Sequence, residues 1–446
     1  MIGGDAAGMS AAAQARRRRD EGELEIVAFE RGDYTSYAAC GLPYFVADLV
    51  PDAQRLVARS PEQHREKGVD VRMRHEVAGI DVERRVVTVR RLDDGAETHE
   101  PFDRLVIATG ASPIRPELPG ADAAGIFGVQ TITDGIALRA ALDDEHPRRA
   151  VVVGGGYIGL EMAEAMKLRG LEVALVEMDP QPMSTLDPDM GAIVSDALRE
   201  LGVDLHLETA VEGFVEEGGR VRAVATRDGE LSADVVVLGI GVKPNVRLAF
   251  HAGIGIGPTG AIATDQRMQT TIEGVFAAGD CVETFHRVSR RPTFIALGTH
   301  ANKQGRVVGV NATGGYSTFP GVVGTAVTKL CEYEVGRTGL TEREAHRAGF
   351  AYDVARIEAR TRAHYYPGAS KVTVKMLAEQ RSGRLLGAQI IGEEGAAKRI
   401  DVVAAAIWNG MTASEFANLD LGYAPPFSPV WDPVLIAARQ VSGAGG

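Results

Sequence analysis

Cys40 is the residue of this chain best suited to covalent chemistry. It lies in Ser36-Tyr37-Ala38-Ala39-Cys40-Gly41-Leu42-Pro43-Tyr44, shortly after an apolar run at 24–29 that leads into Glu30. A cysteine thiolate is both a nucleophile and a sulfur that can pass through a disulfide. Gly41 and Pro43 argue against a place deep inside a regular element. Taken alone, Cys40 reads more readily as a small buried hydrophobe, which is how free cysteine packs. The elements around it have to decide.

Two stretches are built to hold phosphate. Residues 154–159 read Gly-Gly-Gly-Tyr-Ile-Gly, behind the apolar run Val151-Val152-Val153 and ahead of a helical stretch, a strand at 172–176 and Glu177. Strand, G-x-G-x-x-G, helix, strand and acid in this order make a dinucleotide-binding unit. Gly154 permits the tight turn, Gly156 the close approach of a pyrophosphate, and Gly159 the packing of helix on strand. The pyrophosphate sits on the helix N-terminus, flanked by Tyr157 and Ile158. Glu177 stands 18 residues past Gly159. A carboxylate there accepts from an adenosine 2′-hydroxyl and repels a 2′-phosphate, which favours NADH while leaving NADPH possible.

Residues 2–8, Ile-Gly-Gly-Asp-Ala-Ala-Gly, repeat the design ahead of a helical stretch at 9–19 and a strand ending at Glu30. Gly3 and Gly8 supply the turn and the packing, and Asp5 replaces the middle glycine. Only Met1 and Ile2 precede Gly3, so a natural start a few residues upstream is expected. The same unit twice implies two dinucleotides, and a flavin at one with a nicotinamide at the other puts hydride donor and acceptor in a single chain.

Further positions fit that scheme. Ala108-Thr109-Gly110 close an apolar strand within 102–112, small enough for a cofactor to approach the backbone. Residues 234–245 form another buried strand with a glycine-rich exit at Gly239 and Gly241. A strand at 275–277 leads to Gly279-Asp280, where a carboxylate beside a helix start binds the ribityl chain of a flavin, caps the helix, or does both. Cys281 reads as packing. Beyond about residue 320 the texture changes: strands at 322–328, 351–358, 371–377 and 385–391 precede an alanine-rich helix at 397–409, the order of an α+β domain. The tail Tyr423-Ala424-Pro425-Pro426-Phe427-Ser428-Pro429-Val430-Trp431 is stiff, aromatic and most simply an interface element.

Composition narrows the class. A length of 446 residues fits two or three domains. The net charge of −12 argues against a nucleic-acid or membrane-surface partner. No apolar run reaches the roughly 18 residues of a membrane span, and residues 1–15 lack the pattern of a signal peptide. Three cysteines (Cys40, Cys281 and Cys331) are too few and too scattered for a disulfide framework or a zinc site. A cytoplasmic, reduced protein without a metal is expected.

Together these motifs resemble the pyridine nucleotide-disulfide oxidoreductases, in the family's order and over nearly the whole chain: G-G-D-A-A-G, S-Y-A-A-C-G-L-P-Y, A-T-G, G-G-G-Y-I-G, A-A-G-D and a C-terminal domain. The resemblance implies an α/β architecture of two Rossmann-like domains plus a C-terminal α+β dimerisation domain. Residues 1–112 with 245–319 would bind FAD, 113–244 would bind NAD(P), and 320–446 would pair two copies into a homodimer. It places Gly3, Gly4, Asp5, Ala6, Ala7, Gly8, Glu30, Arg31, Ser36, Pro43, Val77, Ala108, Thr109, Gly110, Gly279 and Asp280 against FAD. Gly154, Gly156, Tyr157, Ile158, Gly159, Glu177 and Gly241 would meet the nicotinamide nucleotide, with Tyr157 swinging aside to admit its ring.

Within the family the chain is most similar to the single-cysteine branch of coenzyme A-disulfide reductases, NADH oxidases and NADH peroxidases. Members with two cysteines carry C-x-x-x-x-C, and the earlier position here is Thr35. The oxidases and peroxidases carry a histidine at the place of Ala6. Y-A-P-P-F-S at 423–428 and Tyr365 in His364-Tyr365-Tyr366-Pro367-Gly368 look like the coenzyme A-disulfide reductase pattern, in which two tyrosines reach toward the partner's cysteine. By the same resemblance Ser10, Gln14 and Arg17 would line a coenzyme A nucleotide. The run Arg16–Arg19 offers phosphate charge there or a solvated basic helix end. The implied activity is NAD(P)H-dependent reduction of a low-molecular-weight disulfide, coenzyme A disulfide first, through Cys40, Tyr423 and Tyr365. The alternatives are an NADH oxidase or peroxidase, a persulfide or polysulfide reductase, and, in another class, a flavin electron-transfer or redox-sensing protein with a protein partner.

Overall fold

A computed structural model describes residues 1–443. The first glycine turn lies at the end of a very short central strand. Ile2 bridges Phe29 on one side and Ile107 on the other, and its amide donates to Val106 O at 2.8 Å while its carbonyl accepts from Ala108 N at 2.8 Å. These bridges join the parallel pair Val27–Glu30 and Asp70–Met73 to the parallel pair Leu105–Ile107 and Val275–Ala277. The helix Ala6–Arg16 follows the turn and packs along the helix Gly298–Ala312. The approach is close because Gly305 and Gly309 face it: a Cβ on Gly305 would come within 2.9 Å of Ser10 Cβ, and one on Gly309 within 2.7 Å of Gln14 Cβ.

The second unit is a five-stranded parallel sheet in the order Val203–His206, Glu172–Val176, Arg149–Val153, Val235–Leu238, Ile126–Gly128. Its central strands are near-continuous β-branched runs, as expected of strands buried on both faces. The helix Tyr157–Leu168 packs on that sheet, directly after the second glycine turn. The strand expected at 172–176 forms over those residues. Two antiparallel meanders, His75–Asp81 with Val86–Arg91 and Glu97–Pro101, and Val211–Glu217 with Arg220–Thr226 and Gly229–Ser232, belong to the fold as well.

The C-terminal part is a five-stranded antiparallel sheet in the order Ala326–Leu330, Tyr333–Gly339, Leu385–Gly392, Lys371–Glu379, Tyr352–Arg360. The helices Ala396–Trp408 and Pro433–Gly443 cover it with an apolar core that includes Val374, Met376, Ile390, Ile400 and Val403. Polar side chains from its strands meet the nucleotide-binding unit instead. The Lys375 ammonium, 4% exposed, contacts Asp189 at 2.6 Å, Glu342 at 2.5 Å and Asp187 at 3.3 Å. Gln389 exchanges two hydrogen bonds with Asp187, at 2.6 and 2.8 Å. Arg337 donates to Thr185 O at 2.7 Å. No helix among the described residues is long and apolar enough to cross a membrane.

A buried cation shared by three carboxylates is costly to delete from one side only, because uncompensated charge stays behind. Lys375→Met is therefore expected to lower the folding free energy by about 3–5 kcal/mol. A fall in the urea midpoint that far exceeds the one caused by Arg84→Met, an exposed pair partner, is the check.

Candidate active site

Each glycine turn is organised by a carboxylate at the end of the following strand. Glu30 Oε2 accepts from the Gly4 amide at 2.8 Å and its Oε1 from the Gly32 amide at 2.7 Å. Glu177 does the same with the Gly155 amide at 2.6 Å and the Asp179 amide at 2.9 Å. Both acids thus stand at the end of the second strand of their unit and are bonded to the glycine turn, the position at which a ribose-binding acid is expected. Gly3 and Gly154 have φ of +103° and +99°, a region open to glycine and strained for other residues. A Cβ on Gly8 or on Gly159 would overlap the carbonyl of Gly3 or Gly154. On Gly156, by contrast, the nearest atom to a Cβ would be 3.9 Å away, and Gly110, with φ +64°, faces open space. Both turns are therefore closed toward the protein, the second is open at Gly156, and Gly110 leaves open space, so the residues fit the cofactors expected of them.

Asp5 departs from the usual turn chemistry. It occupies the N-cap position of the first helix without a side-chain bond to that helix, and it accepts from the Tyr37 amide at 3.2 Å instead. Burial, with Glu30 and Asp280 adding repulsion, pushes its carboxyl up to about 6. Asp280 is also pushed up by burial. The expectation of a helix start beside Asp280 fails. The chain runs on through a hairpin, Thr284–His286 with Arg291–Thr293, and the next helix begins at Gly298. The Gly279 amide is bonded to Gln304 at 2.8 Å, and Gly279, with φ +87°, would bring a Cβ within 2.9 Å of Ala7. Asp280 is thus placed beside the first turn by packing and not by a capping role. Cys281 is fully buried, and Val77 and Pro43 are buried too. Ala108 and Thr109 are half-buried and Arg31 is exposed. Gly241, with φ +93°, accepts from the Ile114 amide at 2.9 Å.

Cys40 belongs to a single 3₁₀ turn, Ala39–Gly41, that runs straight into the short helix Leu42–Val46. It is exposed, so it does not pack as a core thiol. The segment ahead of it is fastened to the first glycine turn. Thr35 is buried and donates its hydroxyl to Gly4 O, the Ser36 amide donates to the same carbonyl at 3.3 Å, and Tyr37 reaches Asp5 as above. Ser36 adopts φ +51°, and its hydroxyl shares a 2.8 Å hydrogen bond with the buried His64. Burial lowers His64 to about 4, so the ring is neutral near pH 7. Burial also raises the Cys40 thiol, and Glu161 and Asp280 raise it further. This is the opposite of the low value that a helix N-terminus would produce: partial desolvation of the thiol contributes most, and the two carboxylates add to it.

Glu161 lies in the first turns of the nucleotide helix and accepts from Thr328 at 2.9 Å. Sequence reasoning missed both it and His64. Glu161 carried a signal, an acid four residues after Tyr157 on one helix face, whereas His64 meets Ser36 only through the fold. Tyr157 is half-buried at the second turn, with its phenol raised by burial.

The remaining candidates divide. Tyr423 and Tyr365 are brought together, and the neighbouring Tyr365 hydroxyl raises Tyr423. Both are exposed, as are Phe427, Val430 and Trp431. Among the described residues no hydrogen bond reaches Cys40 Sγ. On the first helix Ser10 donates to Asn302 at 2.7 Å, and Gln14 packs at Gly309. The arginine run is not one uniform phosphate patch. Arg16 is spent on the Gly68 and Leu24 carbonyls, Arg18 on Thr313 and Arg19 on Glu23. Arg17 is exposed and makes no side-chain hydrogen bond among the described residues.

Comparison with known proteins agrees with this geometry. The sequence profile of the pyridine nucleotide-disulphide oxidoreductases matches residues 1–305, and that of their dimerisation domain matches residues 325–433. The chain is 41% identical to an NAD(P)H sulfur oxidoreductase (CoA-dependent) of Pyrococcus furiosus, over 98% of each chain. It is 38% identical to an NADH oxidase of Methanocaldococcus jannaschii, over 99% of this chain and 97% of the other. Among solved structures, reduced CoADR-RHD of Bacillus anthracis superposes with a TM-score of 0.95 at 36% identity, covering 99% of this chain and 79% of that one. The paired glycine turns, the acids that close them and the C-terminal sheet lead to one conclusion: the chain belongs to the pyridine nucleotide-disulphide oxidoreductases, as a FAD-dependent enzyme that draws on NAD(P)H and carries the family's dimerisation domain.

Proposed function

We propose that the protein is a homodimeric, cytoplasmic reductase of a small sulfur–sulfur substrate, coenzyme A disulfide or a coenzyme A persulfide, with Cys40 as its single redox sulfur. The observation that carries this reading is the isolation of Cys40 beside the first glycine turn. Its neighbour at the two-cysteine position, Thr35, is buried and bonded to Gly4, so the sulfur has no internal partner there, which supports a bond to substrate. Relatives whose names specify coenzyme A and sulfur support the substrate class. All three cysteines are unpaired, which suits a reducing compartment.

The chain's own residues would act as follows. Glu177 and the turn at 154–159 would hold the nicotinamide nucleotide, with Ile158 and Gly241 nearby and Tyr157 covering the ring site. Glu30, Asp5, Gly279 and Asp280 would surround FAD, which when bound carries two electrons from NAD(P)H toward sulfur. The Cys40 thiolate would attack the substrate disulfide, forming a mixed disulfide as the S–S bond breaks and the first thiol leaves. Tyr423, oriented by Tyr365 and supplied by the second copy, would give that leaving sulfur its proton. Two electrons originating in NAD(P)H would then cleave the mixed disulfide, releasing the second thiol and restoring the Cys40 thiolate. The groups around Cys40 raise its thiol, so the thiolate would depend on this electron delivery and on the tyrosines. Ser10, Gln14 and Arg17 would line the nucleotide of coenzyme A, with Arg17 free to meet phosphate.

An NADH oxidase is the second reading, favoured by the Methanocaldococcus relative and opposed by Ala6. Cys40→Ser is expected to retain FAD and its bleaching by NADH but to lose disulfide turnover by at least about 100-fold. Turnover of wild-type enzyme should require coenzyme A disulfide, persulfide or polysulfide in a panel that also offers oxygen and peroxide. Stoichiometric oxygen uptake without added disulfide, or turnover surviving in Cys40→Ser, overturns the reading. Asp5 supplies a pH test. Its folded pKa, about 6, lies above the ordinary carboxylate value of 3.8. Its charge therefore opposes folding above about pH 6 and has no effect below about pH 4. Asp5→Asn should raise thermal stability at pH 8 and leave it unchanged at pH 4.

A further inference from the structure

The segment that carries Cys40 is tied at both ends, and its two ends are tied to different halves of the molecule. Its N-terminal end is bonded to Gly4 and Asp5 of the first glycine turn. Its C-terminal end, the helix Leu42–Val46, packs on the nucleotide-binding unit. Leu42, Phe45 and Val46 share one buried core with Ile132, Leu138 and Leu142 of the helix Ile132–Glu145 and with Leu160, Met162 and Met166 of the helix Tyr157–Leu168. At Gly135 the approach is so close that a Cβ would stand 2.9 Å from Leu42 Cδ2.

Two arginines fasten this end, Arg139 within the first of those helices and Arg169 at the C-cap of the second. Arg139 donates to Phe45 O at 2.9 Å and to Val50 O at 3.0 Å, pairs with Asp48, and lays its guanidinium 4.7 Å from the centre of the Phe45 ring. Arg169 donates to Val46 O at 3.1 Å and pairs with Asp143, which also lies 3.6 Å from Arg139 Nε. The last carbonyls of a helix have no intrahelical donors, so these two cations complete it from outside. Asp48, with φ +65°, closes the same turn against Arg139. Both arginine side chains are less than one-fifth exposed, so their bonds to the helix carbonyls are sheltered, whereas the pairs with Asp48 and Asp143, 60% and 47% exposed, are screened by solvent.

We propose that Arg139 and Arg169 are positioning residues for Cys40. They clamp the cysteine helix to the nicotinamide-binding unit, so that the sulfur keeps one registration relative to both dinucleotide turns. The inference rests on Cys40 being the redox sulfur, and it adds that the sulfur's placement is set from the nucleotide side. Neither arginine is expected to touch a cofactor, so their loss should separate the two halves of the reaction.

The test uses FAD-loaded Arg139→Met, Arg169→Met, the double variant and Arg139→Lys, all with Cys331→Ser to silence the other accessible thiol. One readout is flavin bleaching by NADH in stopped flow. The other is the rate, as a function of pH, at which the reduced enzyme attacks an aromatic disulfide (dithiobis-nitrobenzoate). Bleaching should stay within about twofold of the parent, while attack on the disulfide falls about tenfold or more in the double variant and its pH profile shifts, as expected of a misplaced reactive group. Arg139→Lys should recover part of the loss. Equal losses in both readouts, or no loss in either, overturn the proposal. If the double variant does not fold, Gly135→Ala, which keeps both arginines but presses on Leu42, should give the same split, and absence of the split there overturns it too. Disulfide attack persisting in Cys40→Ser would instead overturn the reading of Cys40 itself.

Discussion

A carboxylate pulling on a glycine-turn amide is the interaction on which the site depends. A turn meant for pyrophosphate must leave amides unbonded by its own backbone, and such a turn has little to hold its shape. Glu30 supplies the missing anchor at Gly4 and Glu177 at Gly155. The consequence spreads outward. The carbonyl of the same residue, Gly4, accepts from the Thr35 hydroxyl and the Ser36 amide. That bond sets where the chain leaves toward Cys40. The segment that leads to Cys40 is therefore linked through one residue, Gly4, to an acid ten residues before the cysteine.

The C-terminal sheet solves a different problem. One of its surfaces is an ordinary apolar layer under two helices, and the other presents Lys375, Gln389 and Arg337 to the nucleotide-binding unit. Buried ionic contacts of this kind add little net stability compared with apolar packing, but they tolerate few alternative registers. The loop at 181–187 lies between them and the second glycine turn, where the Met183 amide donates to Gly155 O at 2.8 Å. The nucleotide turn and the sheet that carries Tyr365 are thus linked by a few specific polar contacts.

Much of this was legible in the sequence. The two turns, their acids and the strands leading into them follow from local patterns of glycine and β-branched residues, because the backbone geometry they need is local. The cysteine's isolation could be read from Thr35. Other features depended on distant partners. Asp280 looked like a helix cap because a small-residue turn after a strand usually precedes a helix, and a hairpin intervened. The meanders at 75–101 and 211–232 were missed since their strands are partly exposed, with weak alternation. The strand Tyr333–Gly339 was missed because Gly336 and Gly339 dilute its β character, while the close fit to Ile400 that gives Gly336 its reason is invisible along the chain. Nothing along the chain marks Arg139 and Arg169, because the helix they complete comes from residues 42–46.

The shared core has a consequence for anyone recombining this fold. Leu42, Phe45, Val46, Ala53 and Leu56 lie, in sequence, inside the first dinucleotide unit, yet they pack in the core of the second. A chimera that exchanged the nucleotide-binding unit at its sequence borders would sever that core, leaving an apolar stripe without its counterpart and two buried guanidinium groups without their carbonyls. The inheritable module is discontinuous: the stretch 42–56 and the second unit travel together, and a graft that ignores this would part the segment behind Cys40 from the core in which it packs.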